Sequence, residues 1–431
     1  MKRKLLSLFV AFCLVLSFMT SFAFAADSDT PYNEALEKTK TYITKQVNEK
    51  GAVYGTEWMI LGLARSGANL NDQLFSDYYN DVVKTVKACK GVLHAKKYTE
   101  YSRTILALSA IGKNPSNVGG YNLLEKLADF NRIKWQGING TIWALIALDS
   151  KNYTIPKVKG VEVQTTRDKL IQEILGQQLA GGGFALSGAK ADVDITAMAL
   201  QALAPYTSRS EVKKAVDKAV QCLSDMQKDN GTYDSWGIEN AESIVQTIIA
   251  MTALGIDPGK DERFVKNGKS AVDGLMTFYD AQGGFRHVNT AADGYPPVIN
   301  GMATEQGYYG LVAYDRFINQ KNSLFDMTDG EKPLAKPAKA AISSLKSSKA
   351  KTFVVKWKKV TNASGYQIVY STNSKFTASK TVSASKSTLS KTVKSLKSGK
   401  TYYVKVRAYR TDAKGNKLYG SYSLIKKVKV K

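Results

Sequence analysis

Short, nearly uniformly apolar segments recur along most of the chain. Two match almost residue for residue, since Thr104–Pro115 reads TILALSAIGKNP and Thr247–Pro258 reads TIIAMTALGIDP. Looser copies occupy Thr56–Gly67, Ile138–Ser150, Asp194–Pro205 and Thr304–Tyr314. Ala, Gly and Leu lie at close spacing in each copy, which is typical of a helix that is buried on most sides.

A more polar stretch with amphipathic periodicity precedes each apolar segment. These stretches are Asn33–Asn48, Asp77–Lys90, Leu123–Arg132, Arg167–Leu179, Ser210–Met226 and Phe264–Tyr279. Six outer–inner helix pairs predict a closed ring of hairpins, an all-α (α/α)6 toroid over residues 26–325. Its apolar helices surround a central cavity and its amphipathic helices lie outside.

The linkers between paired helices share the phrase Gln-x-x-x-Gly-x-aromatic. It is complete in Gln178–Phe184 and Gln227–Tyr233, and Gly283–Phe285 keeps its second half. The Gly permits a left-handed turn after the outer helix, the Gln amide can bond backbone groups, and the aromatic ring packs the turn. These hairpins resemble the repeats of squalene/hopene cyclases and protein prenyltransferase β subunits. The same toroid occurs in vitamin B12 carriers and complement thioester domains, so the resemblance implies a fold rather than an activity.

A linker rich in Pro and charge, residues 326–337, separates this region from a C-terminal segment with a period of two. Phe353–Trp357, Gly365–Tyr370 and Tyr402–Tyr409 alternate as strands do. Trp357 and Leu396–Tyr402 resemble the core Trp and the tyrosine corner of a fibronectin type III domain. The resemblance implies an all-β sandwich over residues 338–431.

The net charge of +24 is concentrated in that C-terminal segment. Residues 335–431 contain 24 basic residues and one acid, Asp412, whereas the preceding body is nearly neutral. The charge favours either a solvated, highly soluble surface or electrostatic adhesion to an anionic cell-wall polymer such as wall teichoic acid. No nucleic acid is expected as a partner, because no basic motif interleaved with aromatic residues is present.

The N-terminus has the pattern of a secretory signal peptide. Lys2, Arg3 and Lys4 precede the apolar run Leu5–Phe24, and small residues at Ala23 and Ala25 mark a cleavage site. We therefore expect residues 1–25 to be removed and the mature protein to be secreted or associated with a bacterial cell surface. No further membrane-spanning segment is expected.

Acidic residues begin several of the apolar helices. Alignment of the repeats places Asp194 and Glu242 in one column and Glu57 and Glu305 in another, three residues later on the same helical face. All four are expected near one mouth of the barrel. The alternative is that acids in a first helical turn cap the helix and complement its dipole.

One of these acids lies in a segment that resembles a known catalytic motif. Asp192–Ala197 reads DVDITA and resembles the Asp-x-Asp-Asp-Thr-Ala motif with which class II terpene cyclases protonate their substrate. The resemblance implies Asp194 as proton donor, with Asp192 raising its pKa. Ile195 stands where the motif has its second adjacent Asp, and such cyclases place the site between two barrels.

Other constellations of the fold are incomplete, and neither a metal nor a cofactor is expected. The zinc centre of prenyltransferases needs Asp, Cys and His on inner helices, but Cys89 and Cys222 lie on outer helices. These two cysteines should not form a disulfide either. His287 lies in a linker and is expected to have no partner. The thioester motif Cys-Gly-Glu-Gln lacks its thiol in Met302–Gln306. A glycan-cleaving barrel would need two carboxylates roughly 5–9.5 Å apart, which Asp194 and Glu242 could supply.

The sequence thus favours a binding protein over an enzyme. Whether the protein also has a catalytic activity is left open. The candidate ligand-binding residues, some of which could equally be core packing, are Glu57, Glu242, Glu305, Trp58, Trp236 and Tyr308. The expected ligand is a small apolar or ring-shaped molecule or a glycan. The alternative is acid-initiated isoprenoid chemistry through Asp194, or a glycan-active (α/α)6 barrel.

Overall fold

The computed structural model describes residues 31–292, 294–329, 336–411 and 417–431. They fold into two compact units. The first comprises the chain up to Tyr78 together with Leu179–Ala185 and Ala189–Leu324, and the second comprises Tyr79–Gln178, Leu186–Gly188 and Phe325–Lys431. The expected signal peptide, residues 1–25, lies outside the described residues. Among the described helices, none is long and apolar enough to cross a membrane.

The helical elements precede the larger strands along the chain. In order, the α-helices are α1 (Pro31–Lys50), α2 (Glu57–Arg65), α3 (Gln73–Ala88), α4 (Thr99–Ala110), α5 (Phe130–Ile133), α6 (Gly137–Asp149), α7 (Arg167–Gly176), α8 (Val193–Leu203), α9 (Ser210–Met226), α10 (Ala241–Ala253), α11 (Ala271–Met276) and α12 (Gly301–Ile318). Short 3-10 helices cover Leu123–Ala128, Lys134–Gln136, Ala204–Tyr206 and Glu262–Phe264.

The strands of the helical region pair as short antiparallel hairpins. They are β1 (Asp234–Ser235), β2 (Ile238–Glu239), β3 (Val265–Lys266), β4 (Lys269–Ser270), β5 (Tyr279–Asp280) and β6 (Gly284–Phe285). The C-terminal strands are β7 (Ile342–Lys346), β8 (Phe353–Trp357), β9 (Gly365–Ser371), β10 (Lys380–Ser385), β11 (Ser390–Val393), β12 (Thr401–Thr411), β13 (Lys417–Tyr419) and β14 (Lys426–Lys429).

Each of the six apolar segments predicted from the repeats overlaps a helix with a mostly buried surface. In the first unit, α12 packs against α1, α2 and α10, and α10 also packs against α8. Glycines permit this close packing: a Cβ on Gly62 would lie 2.8 Å from the Tyr308 ring, and one on Gly310 would lie 2.9 Å from Val245. The apolar helices α2, α12, α10 and α8 are therefore neighbours in that order.

In the second unit, α6 packs against both α4 and α7. A buried ion pair joins α7 to the end of α6, with Arg167 Nε 2.6 Å from Asp149 Oδ1. The packing within the units thus gives two sets of adjacent apolar helices. A closed ring of six pairs remains a prediction.

The third predicted outer helix is wrong as a continuous helix. Leu123–Arg132 is divided between the 3-10 turn Leu123–Ala128 and the single turn α5. Asp129 separates them in an extended conformation, with φ −95° and ψ 100°, and its side chain accepts a hydrogen bond from Arg132 N. An Asp N-cap inside an amphipathic stretch begins a new helix rather than continuing the old one.

The sixth predicted outer helix is also wrong over most of its length. Within Phe264–Tyr279 only α11 is α-helical, and β3 and β4 form a hairpin before it. The hairpin turn is Asn267-Gly268, with φ of 46° and 73°. Asn-Gly favours this type of two-residue turn because both residues tolerate positive φ.

The C-terminal region is a β-sandwich. One sheet has the order β11-β8-β7, and the other has the order β10-β9-β12-β13, with β14 also paired to β12. The two inner faces meet in a core that includes Phe353, Trp357, Tyr366 and Val404. The predicted tyrosine corner is present, because Lys397 N donates to the Tyr402 hydroxyl over 3.1 Å. The region is therefore fibronectin type III-like.

Candidate functional site

The predicted turn phrase has the geometry expected of it. Gly182, Gly231 and Gly283 all have positive φ, at 88°, 82° and 96°. The Gln227 amide donates to Gly231 O over 3.2 Å and to Phe264 O over 3.0 Å. These turns therefore fix how the chain leaves the outer element and approaches the next apolar helix.

The aromatic residue of each phrase is fully buried, as Phe184, Tyr233 and Phe285 each have 0% exposure. Two of these aromatic residues are each hydrogen-bonded through the backbone to a threonine hydroxyl. Phe184 N donates to Thr196 Oγ1 over 2.9 Å and Phe285 N donates to Thr304 Oγ1 over 2.9 Å. In both cases the hydroxyl also contacts the carbonyl oxygen of the same aromatic residue. The start of α8 and part of α12 are thereby tied to the linkers that enter them.

Asp194 and Glu242 occupy the same position in successive apolar helices. Each is the second residue of its helix, in α8 and α10, as the repeat alignment predicts. Asp192 caps α8 and Asn240 caps α10, with side-chain oxygens 2.9 Å from Ile195 N and Ser243 N. Capping is thus performed by the preceding residues, which leaves Asp194 and Glu242 available for another role.

Asp192 is held by two hydrogen bonds. Its Oδ1 accepts from Ile195 N, and its Oδ2 accepts from the Ser235 hydroxyl over 2.8 Å. The second bond ties the start of α8 to the β1–β2 hairpin. This geometry assigns Asp192 a structural part in the site, with its charge acting on Asp194 from a fixed position.

Asp194 has a perturbed carboxyl group. Its Oδ1 is buried and accepts no hydrogen bond from any residue that the structure describes. The pKa of Asp194 is raised to about 6. Burial is the largest cause, the nearby Ser243 hydroxyl opposes the rise, and the charges of Asp192 and Glu242 add to it. Asp194 can therefore carry or release a proton near neutral pH.

Glu242 pairs with His287, which corrects the expectation that His287 has no partner. Glu242 Oε2 lies 2.8 Å from His287 Nδ1, and the His287 ring packs edge-on against Tyr295 at 4.6 Å. Glu242 is 6% exposed, and its Oε1 accepts no hydrogen bond from the described part of the chain. Burial raises the pKa of Glu242, whereas His287 lowers it.

A chain of side-chain amides connects the three helices α8, α10 and α12. Gln201 of α8 donates through Nε2 to Gln246 Oε1 of α10 over 3.0 Å. Gln246 donates in turn to Gln306 Oε1 over 3.0 Å and to the Tyr309 hydroxyl over 3.2 Å, both on α12. Buried amides at these positions give the interior of the first unit a polar character.

Glu305 belongs to the same cluster through Tyr309. Burial holds the pKa of Tyr309 well above its usual value, and the charges of Glu305, Glu242 and Asp194 raise it too. The Trp58 ring lies 5.8 Å from the Tyr309 ring. The charges of Asp194, Glu242 and Glu305 therefore all act on one tyrosine, against which Trp58 packs.

Two other candidates have different surroundings. Glu57 is fully buried at the start of α2, and its Oε1 accepts from Gly55 N over 3.0 Å. Tyr308 packs its ring against Gly62, and its hydroxyl lies near Ser66, just beyond the other end of α2. The packing of Tyr308 is thus that of a core residue, the alternative that the sequence left open.

Trp236 stands at the tip of the β1–β2 hairpin. It is 84% exposed, with φ of 55°, and Gly237 follows at 85°. Lys228 braces the hairpin from below, with Nζ 2.9 Å from both Asp234 Oδ2 and Glu239 Oε1. Positive φ is uncommon for a bulky residue, so the turn holds this ring in solvent at a cost in backbone energy.

Several site residues follow a periodicity that the sequence already contains. Gln246 lies four residues after Glu242, and Gln201 lies seven after Asp194, so each pair shares a helical face. His287 has no such signal, because its pairing with Glu242 depends on the fold of the 285–300 linker.

The site can bind hydrogen-bond donors and can exchange a proton. Buried carboxyl oxygens with unfilled acceptor capacity favour hydroxyl, amine or protonated ligands. Among the described residues, no group of three or more His, Cys, Asp and Glu side chains is arranged to hold a metal ion, and both Cys89 and Cys222 are free thiols.

No protein-family model matches the sequence, and no curated protein matches it. Similar solved structures include fibronectin type III domains. The FN1–FN3 domains of chicken CNTN1 are 26% identical, with a TM-score of 0.19, and the match covers 23% of this chain and 31% of that chain. The fn3 domain of human contactin 1 is 20% identical (TM-score 0.19, covering 24% and 90%), and an Fn3-like protein from Clostridium thermocellum is 19% identical (TM-score 0.18, covering 23% and 96%).

Proposed function

We propose that this chain is a secreted bacterial surface protein that binds a ligand at the acidic cluster of its first unit. The basic C-terminal domain retains it at the envelope by adhesion to an anionic cell-wall polymer. The observation that carries the first part is the pair of acids Asp194 and Glu242, each with a buried carboxyl oxygen that no described residue satisfies. Such groups are costly unless a ligand or water completes their hydrogen bonds.

The chemistry of the cluster supports one of the three ligand classes more than the others. Carboxyl groups, side-chain amides and a histidine suit a ligand rich in hydroxyl groups, and an exposed ring such as Trp236 offers a flat apolar platform. A glycan combines both requirements. A purely apolar isoprenoid would leave the open carboxyl oxygens of Asp194 and Glu242 without hydrogen-bond partners.

Acid catalysis through Asp194 is the second candidate. Its favouring observation is the pKa of about 6, which lets the carboxyl group hold a proton that it can donate near neutral pH. The binding role leads because Asp192 is already engaged by Ile195 N and the Ser235 hydroxyl, and Ile195 replaces the acid of the cyclase motif.

Replacing Trp236 with Ala is expected to remove most bound ligand without changing stability. The ring is exposed, so its loss leaves no cavity, whereas loss of an aromatic contact lowers affinity by about tenfold or more. The measurement is native mass spectrometry of the full mature chain purified from its own secretion medium. Bound mass that leaves on denaturation reports occupancy, and its fragmentation separates glycan, isoprenoid and corrinoid.

Trp135→Ala is the matched control, because Trp135 is also exposed, at 55%. It should leave the bound mass unchanged. A wild-type protein with a clean apo mass that also retains no glycan in solution would contradict the binding proposal. Turnover of a ligand that Asp194→Asn abolishes in a folded protein would favour the enzyme instead.

A further inference from the structure

The outward face of β12 carries cations stacked between aromatic rings. Lys405 Nζ lies 4.1 Å from the centre of the Phe376 ring and 4.3 Å from that of Tyr422. The Arg407 guanidinium carbon lies 4.5 Å from the Tyr422 ring centre and 3.7 Å from that of Tyr419. These five residues alternate ring and cation, and we call them the cation–aromatic ladder.

The ladder has a fixed geometry. Lys405 and Arg407 are two residues apart on one strand, so both point to the same face of the sheet. Gln367 of β9 accepts from Arg407 Nε over 2.7 Å and from the Tyr422 hydroxyl over 3.2 Å. Tyr422, whose ring contacts both cations, is therefore held in place by a residue of the neighbouring strand.

The described residues of the domain supply no carboxylate side chain to neutralise this face. Residues 336–411 and 417–431 contain 23 Lys and Arg residues and no Asp or Glu. Stacking on rings stabilises a cation modestly at an exposed site but leaves its positive charge in place. The ladder thus presents to any polyanion fixed charges that no carboxylate side chain in the described part of the domain compensates.

We propose that the cation–aromatic ladder is the surface through which the C-terminal domain binds a linear phosphodiester polymer lacking bases, as in cell-wall teichoic acid. This rests on the proposed envelope adhesion and locates it on one sheet face. Arg407 can bond phosphate oxygens through its fork of N–H groups, and Lys405 adds a point charge beside it. Nucleic acid fits less well, because bound cations already occupy the ring faces on which bases would stack.

The test compares two double variants of the full mature chain on immobilised poly(glycerol phosphate). Lys405→Gln/Arg407→Gln removes the ladder charges, and Lys346→Gln/Lys356→Gln removes two exposed charges from the other sheet. We expect the ladder variant to raise Kd by about tenfold or more at moderate salt and to reduce the slope of log Kd against log salt by about 1–2. The control should change Kd about twofold.

Arg407→Lys keeps the charge and removes the planar fork, so a severalfold weaker affinity is expected even if the double variant folds poorly. Equal losses in the two double variants would overturn the ladder while leaving envelope adhesion intact. Tighter binding of single-stranded DNA than of poly(glycerol phosphate) would overturn it in favour of nucleic acid. Failure of the wild-type chain to bind the polymer would overturn the adhesion proposal itself and the ladder with it.

Discussion

Asp194→Asn is expected to stabilise the protein at neutral pH by roughly 2–3 kcal/mol. The folded-state pKa of Asp194 is about 6 and its usual value is 3.8, and each unit corresponds to about 1.36 kcal/mol. Burial is the main cause, so the ionised carboxylate opposes folding. Asn has nearly the same shape and carries no charge.

The pH dependence of this effect has a defined sign. A raised pKa means that the folded state binds the proton more tightly than the unfolded state between about pH 4 and pH 6. The favourable contribution of wild-type Asp194 is present below pH 4 and is lost as the pH rises through 6. The stability difference between Asp194→Asn and wild type should therefore be small at pH 4, grow through this window and stay constant above it.

Urea unfolding at a series of pH values measures this difference. Asp217→Asn is the control, because Asp217 pairs with Lys213 on the surface with its side chain 60% exposed, and such pairs contribute little. A variant that is destabilised at pH 7, or equally stabilised at all pH values, would show that Asp194 is not a buried, strained acid.

The same substitution should weaken ligand binding. A residue that destabilises the fold yet is required for function is characteristic of a site whose groups are arranged for a ligand. An Asp194→Asn variant that is more stable than wild type but carries less bound ligand would therefore locate the ligand at this carboxyl group.

Much of the fold could be predicted because its signals are local. The apolar segments predict α4 and α10, and the alternation in Phe353–Trp357 predicts β8, whose bounds are the same in the structure. The Gln-x-x-x-Gly-x-aromatic phrase predicts the positive φ of Gly231, because a Gly after the outer helix permits a left-handed turn there. These elements depend on neighbours a few residues away.

The errors arose where one local signal overrode another. Amphipathic periodicity favoured a helix across Phe264–Tyr279, but Asn267-Gly268 directs a hairpin there. The pairing of His287 with Glu242 spans 45 residues and needs the folded linker. The acid positions were accessible from repeat alignment, whereas this hydrogen bond was not.

Gly231→Ala is expected to cost roughly 2–5 kcal/mol of stability. Gly231 has φ of 82°, a conformation that costs an L-residue about 1–2 kcal/mol. A Cβ there would also lie 2.2 Å from Ser270 O, a backbone atom at the N-cap of α11, and overpacking of this kind costs about 1–3 kcal/mol. The turn and α11 must separate to admit the methyl group.

Gly237→Ala separates the two causes, because Gly237 has a similar φ of 85° but no atom within 4 Å of the added Cβ. It should cost only about 1–2 kcal/mol in a urea titration, from backbone strain alone. The excess cost of Gly231→Ala measures the close approach of the turn to α11. Because the Gln227 amide donates a hydrogen bond to Gly231 O, Gly231→Ala should also disturb the following linker and reduce the amount of bound ligand. Equal costs for the two variants would mean that φ alone explains the glycine of the Gln-x-x-x-Gly-x-aromatic phrase, and that its packing contributes nothing to positioning the site.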